Sequence, residues 1–69
     1  MKDLETSDPK AHTENIKEEF QKLVDHLRKD ISRVDDPQAK ALFETSAEVL
    51  LGLKTAFTDY EKGEEEAWQ

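Results

Sequence analysis

Between Ile16 and Val34 the apolar residues Ile16, Phe20, Leu23, Leu27, Ile31 and Val34 recur at steps of 4, 3, 4, 4 and 3, with Val24 beside them. No alternation of period two competes, so the spacing predicts an amphipathic helix. At 100° per residue the stripe covers only about 100° of the helix circumference, which buries one face and leaves the rest wet. The steps also contain an 11-residue recurrence, from Ile16 to Leu27, Phe20 to Ile31 and Leu23 to Val34. Such a recurrence keeps the stripe nearly parallel to the helix axis. On the wet side, Glu18–Lys22 and Asp25–Lys29 are spaced for i,i+4 pairing, each worth about 0.2–0.5 kcal/mol.

The second half of the chain has a different pattern. Ala39, Leu42, Phe43, Ala47, Val49, Leu50, Leu51, Leu53, Ala56, Phe57 and Tyr60 fit a helix from about Pro37 to Lys62. They fill an arc of roughly 220°, about twice that of the first helix. One neighbouring helix cannot cover so wide an arc, so the second helix is expected to meet the first on one flank and something else on the other. Helix 2 of a second copy is the economical choice, giving a four-helix bundle with two-fold symmetry. Thr45, Val49, Gly52 and Ala56 form a small-residue stripe along one edge of the arc. Gly52 inside a helix costs about 1 kcal/mol relative to Ala. A close helix crossing would explain it, and a tolerated surface glycine is the plainer alternative.

The punctuation between the two patterns is Val34-Asp35-Asp36-Pro37-Gln38. Pro37 cannot continue the first helix but suits the first position of the next, with Asp36 as cap. Alternatively Asp35 caps, Gln38 closes a capping box and Val34 staples onto Ala39. The short connection makes the helices antiparallel neighbours. At the other end, Asp8-Pro9 and Thr13 are rival starts for helix 1, and Gly63 is a natural stop for helix 2. The expected organisation is a flexible arm over residues 1–8 and a helical hairpin over 9–62. Within the hairpin, helix 1 runs from about 9 to 34, the turn is 35–36, and helix 2 runs from about 37 to 62. Residues 63–69 form an acidic tail. Trp68 in that tail either folds back towards the start of helix 1 or anchors a partner. The fold class is therefore all-α, an antiparallel two-helix hairpin dimerising into a four-helix bundle.

Composition sharpens the case for assembly. The chain has 69 residues, 35% hydrophobic and 39% charged, with no Cys. A chain this short makes a marginal core unless something staples it. Disulfides and Cys-based zinc sites are excluded, which leaves oligomerisation. The absence of Cys fits the cytoplasm. Residues 1–10 contain no apolar run, so no signal peptide is expected. No stretch approaches the length of a membrane span, and a soluble protein follows. The net charge is −7, concentrated in Asp35-Asp36 and Glu64-Glu65-Glu66, while the helices are nearly neutral. Solubility and helix capping account for that placement, with an acidic patch for a basic partner as the functional alternative. Without a basic stripe to displace counterions, no nucleic acid is expected as a partner.

Candidate chemistry is sparse. His12 and His26 are about 21 Å apart along a continuous helix and cannot share a metal within one chain. Neither belongs to a Glu-x-x-His pair of the di-metal bundle type. Glu44 and Glu48, like Glu14 and Glu18, are one turn apart on polar sides, where nothing desolvates a carboxylate. Ser7, Ser32 and Ser46 have no neighbouring base. With Gly52 and Gly63 the only glycines, there is no phosphate-binding loop. We expect no catalytic residues, no metal ligands and no cofactor. The sequence carries no basic amphipathic face for a membrane surface.

The resulting expectation is a small non-enzymatic homodimer acting as a protein–protein interaction module. Its interface, with itself or a protein partner, is assigned to Leu42, Thr45, Val49, Leu50, Gly52, Leu53, Ala56, Phe57, Tyr60 and Trp68. A DNA-associated regulator or antitoxin-like dimer is the alternative, by analogy with other short helical dimers. Metal binding and enzymatic activity rank below both.

Overall fold

Two Asp-Pro steps set the architecture. In the computed structural model, which describes residues 1–63, helix α1 spans Pro9–Ile31 and helix α2 spans Pro37–Lys62. Asp8 and Asp36 adopt nearly the same extended backbone, with φ −72° at both and ψ 113° and 116°. Each caps its helix in the same way. Asp8 Oδ1 accepts from the Lys10 N–H at 3.1 Å, and Asp36 Oδ1 accepts from the Gln38 N–H at 3.2 Å. The proline that follows sits where a helix has no use for an N–H. Of the rival starts, α1 thus uses Asp8, and Thr13 lies inside the helix. Of the two schemes for α2, the Asp36 cap is the one formed. At the far end Gly63 takes the left-handed conformation, φ 68°, that terminates a helix at low cost for glycine alone.

Helix α1 ends at Ile31, three residues short of the expected Val34, and the connection spans residues 32–36 in place of the two-residue turn. The cause is local. Ser32 Oγ donates to the Lys29 carbonyl at 2.7 Å, and the Ser32 and Arg33 N–H groups bond three residues back, to Lys29 and Asp30. These bonds tighten the last turn and leave the helical ladder. Pro37 then holds Asp36 extended, so the reversal needs the residues between.

The two helices pack side by side as an antiparallel hairpin, and no strand occurs among the described residues. The molecule measures 43 × 28 × 12 Å. Its thickness is that of one helix with side chains, so this is a single layer. Among the described residues, only Val24 of α1 and Ala47 of α2 are fully buried. Phe20 and Phe57 meet edge to face across the helices, ring centres 5.3 Å apart. Stable domains ordinarily bury a core between two layers; this chain supplies one.

The N-terminal arm, expected to be flexible, runs back along α1. The His12 ring Nε2 donates to the Thr6 carbonyl at 2.7 Å, Asn15 Nδ2 donates to the Lys2 carbonyl at 2.8 Å, and the Met1 nitrogen lies 3.7 Å from the Glu19 carboxylate. The steps 12, 15 and 19 follow one helical face, which is how an extended strand of chain can track it. The expected i,i+4 pairs are replaced by others. Lys22 pairs with Glu19 at 3.0 Å, not with Glu18. Asp25 accepts from Gln21 at 2.9 Å, not from Lys29. The hydrogen bond from Lys22 is the main reason the Glu19 carboxyl sits below its ordinary value.

Candidate interaction surface

The seam between α1 and α2 has two flanks of opposite chemistry. Along one, polar side chains reach across. Lys17 Nζ bonds both Glu61 and Thr58, Thr13 Oγ1 shares its proton between Glu61 and the Lys10 carbonyl, Lys54 Nζ donates to Gln21, and Arg28 stands 3.9 Å from Glu48. Lys17–Glu61 is the more sheltered of the two ion pairs that cross the seam, with side chains 20% and 15% exposed against 49% and 65% for Arg28 and Glu48. The bonds from Lys17, then from Thr13, hold the Glu61 carboxyl below its ordinary value of 4.5, against a smaller upward push from desolvation.

The other flank is apolar and bare. Leu23 of α1 is 47% exposed, and Leu42, Val49 and Leu53 of α2 are 61%, 57% and 41% exposed. Helical geometry places them together. On α1, Leu23 and the Lys17–Gln21 edge lie on opposite sides of Val24; on α2, Leu42, Val49 and Leu53 lie roughly 120–160° round from Ala47, while Lys54 and Thr58 lie within about 20° of it. Because the helices are antiparallel, both apolar flanks open to one face of the layer. A trough on that face is lined by Thr13, Leu53, Ala56, Phe57 and Tyr60, and its exposed lining is wholly apolar.

Of the residues assigned to an interface from sequence, Leu42, Thr45, Val49, Gly52 and Leu53 are exposed, and Leu50, Ala56, Phe57 and Tyr60 are half-buried. Trp68 lies outside the described residues. The small-residue stripe does not face α1: a Cβ built on Gly52 would meet nothing within 4 Å. One member of the apolar face, Leu23, is not legible as such from sequence, whereas Ser46 falls within the apolar arc of helix 2 as a small packing residue. Leu23 was assigned to the face that α2 would cover, and the 4, 3 stepping of its stripe does not say how far one helix reaches across it. Ser46 completes a heptad-like row with Leu42, Val49, Leu53, Ala56 and Tyr60, stepping 4, 3, 4, 3, 4. Its hydroxyl donates to the Leu42 carbonyl one turn back, at 2.8 Å. Ser46 can therefore be covered without stranding a polar group.

Among the described residues, no three His, Cys, Asp or Glu side chains gather where they could hold a metal ion. No described helix is long and apolar enough to cross a membrane. His26 stands on the polar side of α1, 3.2 Å from Asp30. No family model, no curated protein and no solved structure matches this chain.

Proposed function

We propose that this chain is a non-enzymatic protein–protein interaction module that works as a cytoplasmic homodimer, its bare apolar face covered by a second copy to complete a four-helix bundle. The observation that carries this is the exposure of Leu23, Leu42, Val49 and Leu53 on one face of a layer one helix thick. Finishing the burial of these side chains is worth about 1–2 kcal/mol apiece. Over two copies that is on the order of 10 kcal/mol, comparable to the cost of association. The face has an outline of 43 × 28 Å, which accommodates the roughly 800 Å² per partner of a standard interface. The acidic surface left outside the bundle is then free to engage a protein partner. With a net charge of −7, that surface suits a partner of opposite sign.

Light scattering at micromolar concentration tests the assembly. Wild type is expected at twice the chain mass. Leu53→Asp, which puts a charge in the middle of the apolar face, is expected at the chain mass or unfolded. A well-folded wild-type monomer would refute this reading.

A further inference from the structure

Granting a face-to-face dimer, we infer that α2 of one copy packs on α1 of the other, with the two-fold axis parallel to the helices. The hairpin's own register carries the argument. Residues that meet across the polar flank and the aromatic pair are Thr13 with Glu61, Lys17 with Thr58 and Glu61, Phe20 with Phe57, Gln21 with Lys54, and Arg28 with Glu48. Their numbers add to between 74 and 78. A residue of α2 is therefore level with the α1 residue that brings the sum to about 76.

Two layers stacked on their apolar faces by a two-fold axis keep their helices aligned in only two ways. If the axis is parallel to the helices, rotation moves nothing along them, and α2 lies over the partner's α1 at the same level. The register is then fixed with nothing left to adjust. It sets Leu53 opposite the partner's Leu23, the exposed residue of one helix on the exposed residue of the other. Tyr60 meets the partner's Ile16, and Leu42 reaches three residues past Ile31, the last residue of the partner's α1, to the level of its connection. The small Ala56 meets the partner's Phe20, so bulk is matched with space. The single polar member of the row, Ser46, meets the partner's Asp30. All neighbouring helices are antiparallel.

If the axis is instead perpendicular to the helices, α2 lies on the partner's α2 and α1 on the partner's α1. The α2 row is symmetric about the level of Leu51, which pairs Leu42 with the partner's Tyr60 and Val49 with the partner's Leu53. The hairpin register carries that axis to the level of Asp25 on α1. Phe20 then faces the partner's Asp30, a carboxylate against an aromatic ring, twice per dimer. Shifting the axis to bring Phe20 opposite the partner's Leu23 carries Leu42 about five residues past Lys62, the end of the partner's α2, a longer overhang than the parallel axis leaves at α1. The parallel axis satisfies both helices at once, and the perpendicular one does not.

The chain has no Cys, so single-cysteine variants report the arrangement directly. Leu53→Cys mixed with Leu23→Cys is expected to oxidise to a covalent dimer, doubling the mass on a non-reducing gel. Leu53→Cys mixed with Val49→Cys is expected to stay as single chains. Ser46→Cys mixed with Asp30→Cys, against Ser46→Cys mixed with Ala56→Cys, repeats the contrast without removing apolar bulk. A dimer that cross-links through the α2–α2 pairs, or through neither set, overturns the inference and leaves the homodimer standing. A wild-type chain that scatters as a monomer overturns both.

Discussion

The two flanks of the α1–α2 seam are built from the same two helices, yet one is closed and the other open. On the closed flank, Lys17, Gln21, Lys54, Thr58 and Glu61 satisfy one another. On the open flank, Leu23, Val49 and Leu53 stay 41–57% exposed among the described residues. The difference shows that a hairpin can fix its register with polar contacts and still lack most of its hydrophobic stabilisation. Polar bonds specify which residues are level, each contributing about 0.5–1.5 kcal/mol net. Burial supplies the bulk of the free energy in folded domains, and in the proposed bundle a second layer provides it.

Val24→Asp strikes beneath both flanks and should have the largest effect. It places an unpaired carboxylate at the largest fully buried side chain among the described residues. The cost, several kcal/mol, is comparable to the whole stability of a small domain. Circular dichroism should show loss of most helicity; retained helicity would mean that α1 and α2 do not pack through Val24.

Contrasting substitutions then weigh one flank against the other. Leu42→Asp on the open flank should weaken self-association by 2 kcal/mol or more, roughly thirtyfold in Kd. Lys54→Met on the closed flank removes the bond to Gln21 and should cost about 1 kcal/mol in urea unfolding with little change in mass. If Lys54→Met dissociates the protein and Leu42→Asp does not, the roles of the flanks are reversed.

How these flanks read in sequence depends on the reach of each signal. Both Asp-Pro steps, the two helical periods and the Gly63 stop are local features, and their helices form where the pattern places them. The early end of α1 was hidden because Val34 keeps the 4, 3 stepping although Ser32 and Pro37 have already broken the ladder. The expected Glu18–Lys22 and Asp25–Lys29 pairs failed because neighbours on the same helix took the side chains first, Glu19 at i,i+3 pairing with Lys22 and Gln21 at i,i+4 donating to Asp25. The closed flank was illegible for a related reason. Lys17, Gln21, Lys54 and Glu61 look like ordinary wet-face residues until the helices are set side by side. The width of the α2 arc did foretell an uncovered surface, whereas the contribution of Leu23 required knowing how α2 lies across α1.

Helix entry and the open edge give smaller tests. Asp36→Ala should cost about 1 kcal/mol by removing the acceptor for the Gln38 N–H. Pro37→Ala, at the first position of the same helix, should cost less, because Asp36 still caps. Equal losses, measured by chemical denaturation, would mean that the proline and not the cap directs the turn. Gly52→Ala should stabilise the chain by up to about 1 kcal/mol, since an added Cβ meets open space. In the proposed bundle Gly52 sits at the rim, outside the Leu42–Tyr60 row, so dimer mass should not change. A drop in mass would restore the close-crossing explanation for this glycine.

The smallest expected effect tests the chemistry of the closed flank through pH. The folded Glu61 carboxyl lies below its ordinary value of 4.5 because Lys17 and Thr13 bond the charged form. A carboxylate depressed on folding stabilises the native state above its unfolded pKa, and that stabilisation drains away as pH falls through the folded value. Wild type should therefore hold a constant stability advantage over Glu61→Gln above about pH 4.5 and lose it below. The advantage is modest, because the pair is partly exposed and screened. Added salt should shrink it at neutral pH without altering the mass of the assembly. A gap between the two proteins that widened in acid would mean that Glu61 is bound in its protonated form, and the ladder from Lys17 to Lys54 could not then be what fixes the hairpin register.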